Sequence, residues 1–134
     1  VVDNGSSDET AAIASAKGAR VVSEPYKGIT RARQCGLGAV SSDYVALIDA
    51  DCMLTPRWFD SMSEHFKNNP DTIALTGPIR YYDGYATMRV AVVVIQWIVF
   101  PLAYLFTGRH VIGGNFVART DALRKIGGFD ASIE

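Results

Sequence analysis

The sequence predicts an α/β domain, a mostly parallel sheet with helices on both faces. Three observations carry this. From Val1 to Gly77, short apolar runs alternate with stretches of helical periodicity. Two of the runs end abruptly in carboxylates, Asp3 after Val1-Val2 and the pair Asp49 and Asp51 after Tyr44-Val45-Ala46-Leu47-Ile48. Half of the residues are hydrophobic (49%) and a fifth charged (20%), a balance able to bury one modest core.

The elements follow in order. Val1-Val2-Asp3 reads as a strand end, and Asn4-Gly5-Ser6 is turn chemistry. Ser6 and Glu9 match the S-x-x-E capping box, which predicts a helix from there through Ala11, Ala12, Ile13 and Ala16 to a stop at Gly18. Ala19-Arg20-Val21-Val22 reads as a short strand, and Ser23 to Gly28 as a loop. A second helix is expected over about Ile29 to Val40. Its Ala32, Gly36 and Ala39 allow close packing on the sheet, which offsets the ~1 kcal/mol that each helical glycine costs relative to alanine. After the central strand, Thr55 is placed to cap a helix with Pro56 at its first position, and Phe59, Met62 and Phe66 form its apolar stripe. Thr72 to Gly77 reads as a further strand.

An apolar insertion around 85–107 interrupts this order. Val90 to Phe106 carries no charge, Arg89 and Arg109 flank it, and Gln96 and Pro101 interrupt it. As a helix the run covers about 26 Å, short of a ~30 Å hydrocarbon core. A regular wheel gathers Arg89, Gln96, Tyr104 and Thr107 on one side. Three environments fit: a membrane interface, which stands foremost, burial in the fold or under a partner, and a true span. Val111 to Ala118 then reads as a glycine-rich loop entering a strand, and Thr120 as the cap of a helix through Leu123 and Ile126.

Net charge is −1, which gives no electrostatic basis for nucleic-acid binding. Cys35 and Cys52 form no CxxC pair, and no histidine stands at metal-ligand spacing from them. They read as small core residues of a reducing compartment. In an extended chain, side chains at i and i+2 share a side, so Asp49 and Asp51 should converge at the carboxyl end of their strand, where open α/β sheets bind ligands. Two such carboxylates repel, and Mg²⁺ or Mn²⁺ would relieve the repulsion. A solvated turn is the plainer alternative.

Four segments occur together in one order: Val2 to Thr10, Gly28 to Gln34, Leu47 to Asp51, and Gly114 to Arg119 followed by Gly127-Gly128-Phe129-Asp130. The set resembles the family 2 glycosyltransferases, inverting enzymes of the Rossmann-like GT-A fold. The resemblance implies that Asp3 contacts the nucleotide base, favouring uracil or guanine, and that Arg33 lies near the nucleotide, with Arg31 less well matched. It implies that Asp51 binds the metal, with Asp49 on the ribose or the metal's water shell. Gly113, Gly114 and Asn115 would line the donor sugar and the acceptor edge. The cofactor implied is Mn²⁺ or Mg²⁺, and the donor is a nucleotide-diphosphate sugar of UDP or GDP type. His110 and His65 read as non-catalytic.

The resemblance also places the general base, an aspartate, directly after Glu134. The sequence is therefore read as one partial GT-A domain over 1–134, an internal fragment lacking its first strand and its base, and expected to bind donor without turnover. The uncharged run suggests a lipid-linked or membrane-proximal acceptor, and a location at the cytoplasmic face of a membrane or in the cytoplasm. Two other readings stand beside this one. A strand ending Asp-x-Asp also resembles phosphatases of the haloacid dehalogenase type, with Asp49 as nucleophile and Asp51 as acid, although Met53 stands where that pattern has Thr or Val. A domain that binds nucleotide-sugar or membrane without chemistry is the other.

Overall fold

In the computed structural model, residues 1–78, 84–107 and 115–132 are described. They fall into two units, Val1–Val45 with Ala118–Glu134, and Ala46–Val117. The α/β architecture expected from the alternation is present. Strand β3 (Tyr44–Ile48) and strand β5 (Asn115–Arg119) each supply residues to both units.

In the first unit, β1 (Val2–Asp3) pairs parallel with β2 (Val22–Ser23), Val2 opposite Val22 and Asp3 opposite Ser23. Helix α1 (Thr10–Ala16) connects them, and α2 (Ile29–Ala39) packs on β1. The close packing expected at Gly36 is observed: a Cβ there would lie 3.1 Å from Val2 Cγ2, whereas Gly38 faces open space. The end of α2 is finished by a residue far along the chain. Arg124, on α6 (Thr120–Lys125), donates from Nη2 to Leu37 O at 3.0 Å and Val40 O at 2.6 Å, satisfying carbonyls left open where the helix stops. Gln34 of α2 accepts from Phe129 N–H at 2.8 Å, so the Gly127-Gly128 turn is tied to the same helix.

Three expected caps are not used. Helix α1 begins at Thr10 rather than at the Ser6–Glu9 box, because Asp8 accepts both the N–H and the hydroxyl of Thr10. A carboxylate two residues ahead closes a tighter local turn than the box requires. The Thr10 hydroxyl, and then its N–H, hold the Asp8 carboxyl below its ordinary range. Thr55 lies outside α3 (Trp58–Asn68) and contributes its carbonyl, not its hydroxyl, to Trp58 N–H at 2.9 Å. Thr120 is the first residue of α6 rather than its cap. Its N–H donates to Asp43 O at 2.9 Å, and its buried hydroxyl has no hydrogen-bond partner among the described residues.

The second unit holds a core of Trp58, Phe66 and Val117, with Ile48, Met62 and Leu75 packed against it. The stripe of α3 is thus Trp58, Met62 and Phe66 at i, i+4 spacing, one residue out of register from the expected start. Phe59 is 64% exposed and Trp58 8%. Strand β5 lies between β3 and β4 (Ala74–Thr76), so the last strand in sequence occupies the middle of its sheet. The insertion is helical: α4 (Ala86–Val94), a π-helical turn (Ile95–Val99) and α5 (Phe100–Thr107). The π turn has a local cause. Pro101 offers no N–H and its ring would clash with the carbonyl of Trp97, and the chain widens to let Phe100 N–H reach Ile95 O instead. The widened turn shifts the two halves of the helix, so the regular wheel that aligned Arg89 and Gln96 with Tyr104 and Thr107 does not hold along its length.

Gly127 and Gly128 both have positive φ, +93° and +76°, which penalises any side chain. A Cβ at Gly127 would meet nothing within 4 Å, whereas one at Gly128 would collide with Gln34 Oε1 and Leu37 Cδ2. Gly127→Ala should therefore cost about 1 kcal/mol and Gly128→Ala about 2–3 kcal/mol. Urea unfolding of the two variants checks this, and equal losses would contradict the packing described here.

Candidate functional site

The carboxylate pair forms where β3 stops. Strand geometry ends at Ile48, and Cys52 N–H donates to Asp49 O at 3.0 Å, closing a turn over Asp49-Ala50-Asp51-Cys52. Asp49 and Asp51 do converge, but through this turn and not through the i, i+2 alternation of an extended chain. Both are exposed, and Cys52 is half-buried beside them. One ligand atom from each of the three lies within 4.8 Å of the others.

Ligands of one octahedral ion about 2.1 Å from its centre stand up to ~4.2 Å apart, so small rotations of exposed side chains suffice to share a cation here. Two hard carboxylate oxygens suit Mg²⁺ or Mn²⁺, and the thiol adds a softer donor on the same side. Cys52 was not singled out by the sequence, because spacing to histidines or a second cysteine says nothing about a thiol that a tight turn folds back onto two acids.

A second cluster in this unit centres on Asn115, the first residue of β5. Trp58 Nε1–H donates to Asn115 Oδ1 at 3.0 Å. The Asn115 carbonyl accepts from Gly77 N–H at 3.3 Å and Thr76 Oγ1 at 2.9 Å. A Cβ at Gly77 would stand 2.6 Å from Asn115 Nδ2, so the missing side chain leaves room for the amide. Asn115 is therefore fixed in backbone and side chain together. Trp58 and Gly77 are its positioning residues, and neither was legible beforehand, because a tryptophan on an amphipathic helix reads simply as core.

Asp3 and Arg33 belong to the other unit. Asp3 is half-buried, and its Oδ1 accepts Ser6 N–H at 3.2 Å. Its neighbour Asn4 has a role unseen in the sequence. Nδ2 donates to Glu24 O at 2.9 Å and Tyr26 O at 2.7 Å, and Oδ1 accepts Gly28 N–H at 2.9 Å. One side chain thus braces the loop from Glu24 to Gly28. Arg33 is half-buried on α2, and Arg31 sits over the Tyr26 ring, 5.8 Å from its centroid. Cys35 donates weakly to Ser23 O at 3.9 Å, a structural contact. Gly113, Gly114, His110 and Glu134 lie outside the described residues. His65 is exposed on α3, as expected.

Trp58→Phe keeps the ring in the core but removes the donor to Asn115. It should cost about 1–2 kcal/mol, against ~3–5 kcal/mol for Trp58→Ala. Urea unfolding separates them. A Phe variant as stable as the parent would show that the hydrogen bond contributes nothing.

Comparison with known proteins adds the following. The profile described as Glycosyl transferase family 2 matches residues 1–127. An uncharacterized glycosyltransferase of Mycobacterium tuberculosis is 34% identical over 133 residues, covering 97% of this chain and 59% of that protein. A glucosyl-dolichyl phosphate glucuronosyltransferase of Haloferax volcanii is 34% identical over 53 residues, covering 40% of this chain and 17% of that protein. Among solved structures, glucosyl-3-phosphoglycerate synthase of Mycobacterium tuberculosis, in complex with Mn²⁺, UDP-glucose and glycerol 3-phosphate, superposes with a TM-score of 0.62 at 26% identity. That match covers 92% of this chain and 46% of the synthase. The chain thus spans about half the length of these larger relatives.

Proposed function

Because the chain belongs to glycosyl transferase family 2, we propose that it forms the donor-binding part of a metal-dependent inverting glycosyltransferase. The donor is a UDP-type nucleotide sugar and the acceptor a hydroxyl on a lipid-linked or membrane-proximal molecule. The observation that carries the reading is the turn joining Asp49 and Asp51 at the end of β3. The solved relative that holds Mn²⁺ together with UDP-glucose supports the choice of donor and of ion. The phosphatase alternative finds no support in the family match or in these relatives.

Each residue has a part in this reading. Asp51 and Asp49 would hold the cation, which would supply positive charge where the departing diphosphate accumulates negative charge. Asp3 accepts from the base of the nucleotide, and Arg33 lies near the nucleotide. Asn115, held by Trp58 and by Gly77 and Thr76, lines the donor sugar with a rigid amide. Gly113 and Gly114 precede it on the same edge. The acceptor hydroxyl attacks the anomeric carbon in line as the carboxylate expected after Glu134 removes its proton, which inverts the centre. Positioning and fixed charge then supply most of the acceleration.

The lipid-linked acceptor is supported by the long apolar helix of the insertion and by the Haloferax relative, a glucosyl-dolichyl phosphate glucuronosyltransferase. On this reading the enzyme works at the cytoplasmic face of a membrane or in the cytoplasm.

Titration calorimetry with UDP and Mn²⁺ tests the donor site. Heat should require the metal, and Asp51→Ala should weaken binding by about tenfold or more. Metal-independent binding, or an unchanged Asp51→Ala affinity, would overturn the assignment of the pair.

A further inference from the structure

The insertion is a helix of 21 residues, Ala86–Phe106, none of it buried by the other described residues. Its length is about 30 Å, near the thickness of a hydrocarbon core. Length and composition alone would therefore permit a span. The strands on either side do not. Asn115 O accepts from both Gly77 N–H and Thr76 Oγ1, so the chain leaves the sheet and re-enters it at adjacent positions.

A helix that crossed a bilayer would leave its far end ~30 Å from that point, and one connection would have to recross the hydrocarbon. The connection over residues 108–114 reaches about 25 Å when fully extended, and it contains Arg109 and His110. The connection over 78–85 reaches about 28 Å and contains Arg80 and Asp83. Either would carry charge and unpaired backbone through lipid, which is prohibitive.

The helix also has two distinct sides. Val92, Gln96 and Ala103 are half-covered. Gln96, the one amide in the uncharged run, lies on that side and returns its Nε2–H to Val92 O at 3.3 Å. Arg89 stands on the same line, three residues before Val92. The opposite side presents Val90 at 64%, Trp97 at 68% and Leu105 at 75% exposure, with no charged group among them. In the sequence, arginines at positions 89 and 109 bracket the run, and cationic side chains beside an apolar helix favour anionic headgroups.

From this we infer that the helix lies in the plane of a single leaflet, its Val90–Trp97–Leu105 face in the acyl layer, and docks the domain on an anionic membrane without crossing it. The inference deepens the membrane-proximal acceptor proposed above and rests on that reading for its purpose, though not for its test. An in-plane helix seats the sheet edge that carries Asn115 beside the headgroups. A spanning helix could not, because the sheet forbids it.

The experiment uses the purified chain and phosphatidylethanolamine–phosphatidylglycerol vesicles in a flotation gradient. The chain should rise with the vesicles, and the double variant Trp97→Glu, Leu105→Glu should partition about tenfold less or lower. Calorimetric binding of UDP with Mn²⁺ should be the same for parent and variant, which shows that the variant is folded. Depth is read from Trp97 fluorescence with brominated lipids. Quenching should be strongest with bromine near the glycerol end of the chains, while Trp58 in the core supplies the unquenched remainder. No flotation of the parent, equal flotation of the double variant, or strongest quenching by bromine at the bilayer centre would each overturn the inference. Loss of UDP binding with flotation intact would instead count against the transferase reading.

Discussion

The insertion of β5 between β3 and β4 is the constraint on which the other features depend. A strand that arrives after a long apolar excursion completes the middle of a sheet begun by earlier strands. Its residues serve three ends at once. Val117 fills the core beside Trp58 and Phe66, Asn115 is clamped by Trp58 and by the end of β4, and the two ends of the excursion are brought back to one edge. Hydrogen bonds of ordinary strength, each worth about 1 kcal/mol net, therefore determine where a long hydrophobic helix can and cannot go.

Much of this was legible in the residues. The alternation of apolar runs and helical patterns gave the α/β class, and the abrupt end of Tyr44–Ile48 in two acids located the pair now seen beside Cys52. The glycine at position 36 announced close packing on β1. The failed caps share one cause. Ser6, Thr55 and Thr120 each occupy a position where capping is a good expectation, and each yields to a neighbour: Asp8 takes Thr10, Thr55 gives only its carbonyl, and Thr120 begins its helix instead of preceding it. Capping rules describe a helix end in isolation, whereas the chain around it decides which oxygen arrives first.

The convergence of Asp49 and Asp51 was reached for a reason that the structure replaces. Strand alternation and a tight turn lead to the same neighbourhood, but only the turn brings Cys52 with it. Trp58 and Phe59 show the converse. The period was right and the phase wrong by one residue, because both rings are apolar and only the tryptophan has an N–H to satisfy at Asn115.

The loop from Glu24 to Gly28 has a further consequence. Asn4 spends every hydrogen-bonding direction of its amide that the structure records on that loop's backbone, two carbonyls and one N–H. The loop follows directly on β2, whose Ser23 pairs with Asp3, so this backbone loses its freedom when the chain folds rather than when a ligand arrives. Preorganisation of this kind lowers the entropy lost on binding. In the role proposed for Asp3, the base would meet a backbone that folding has already fixed.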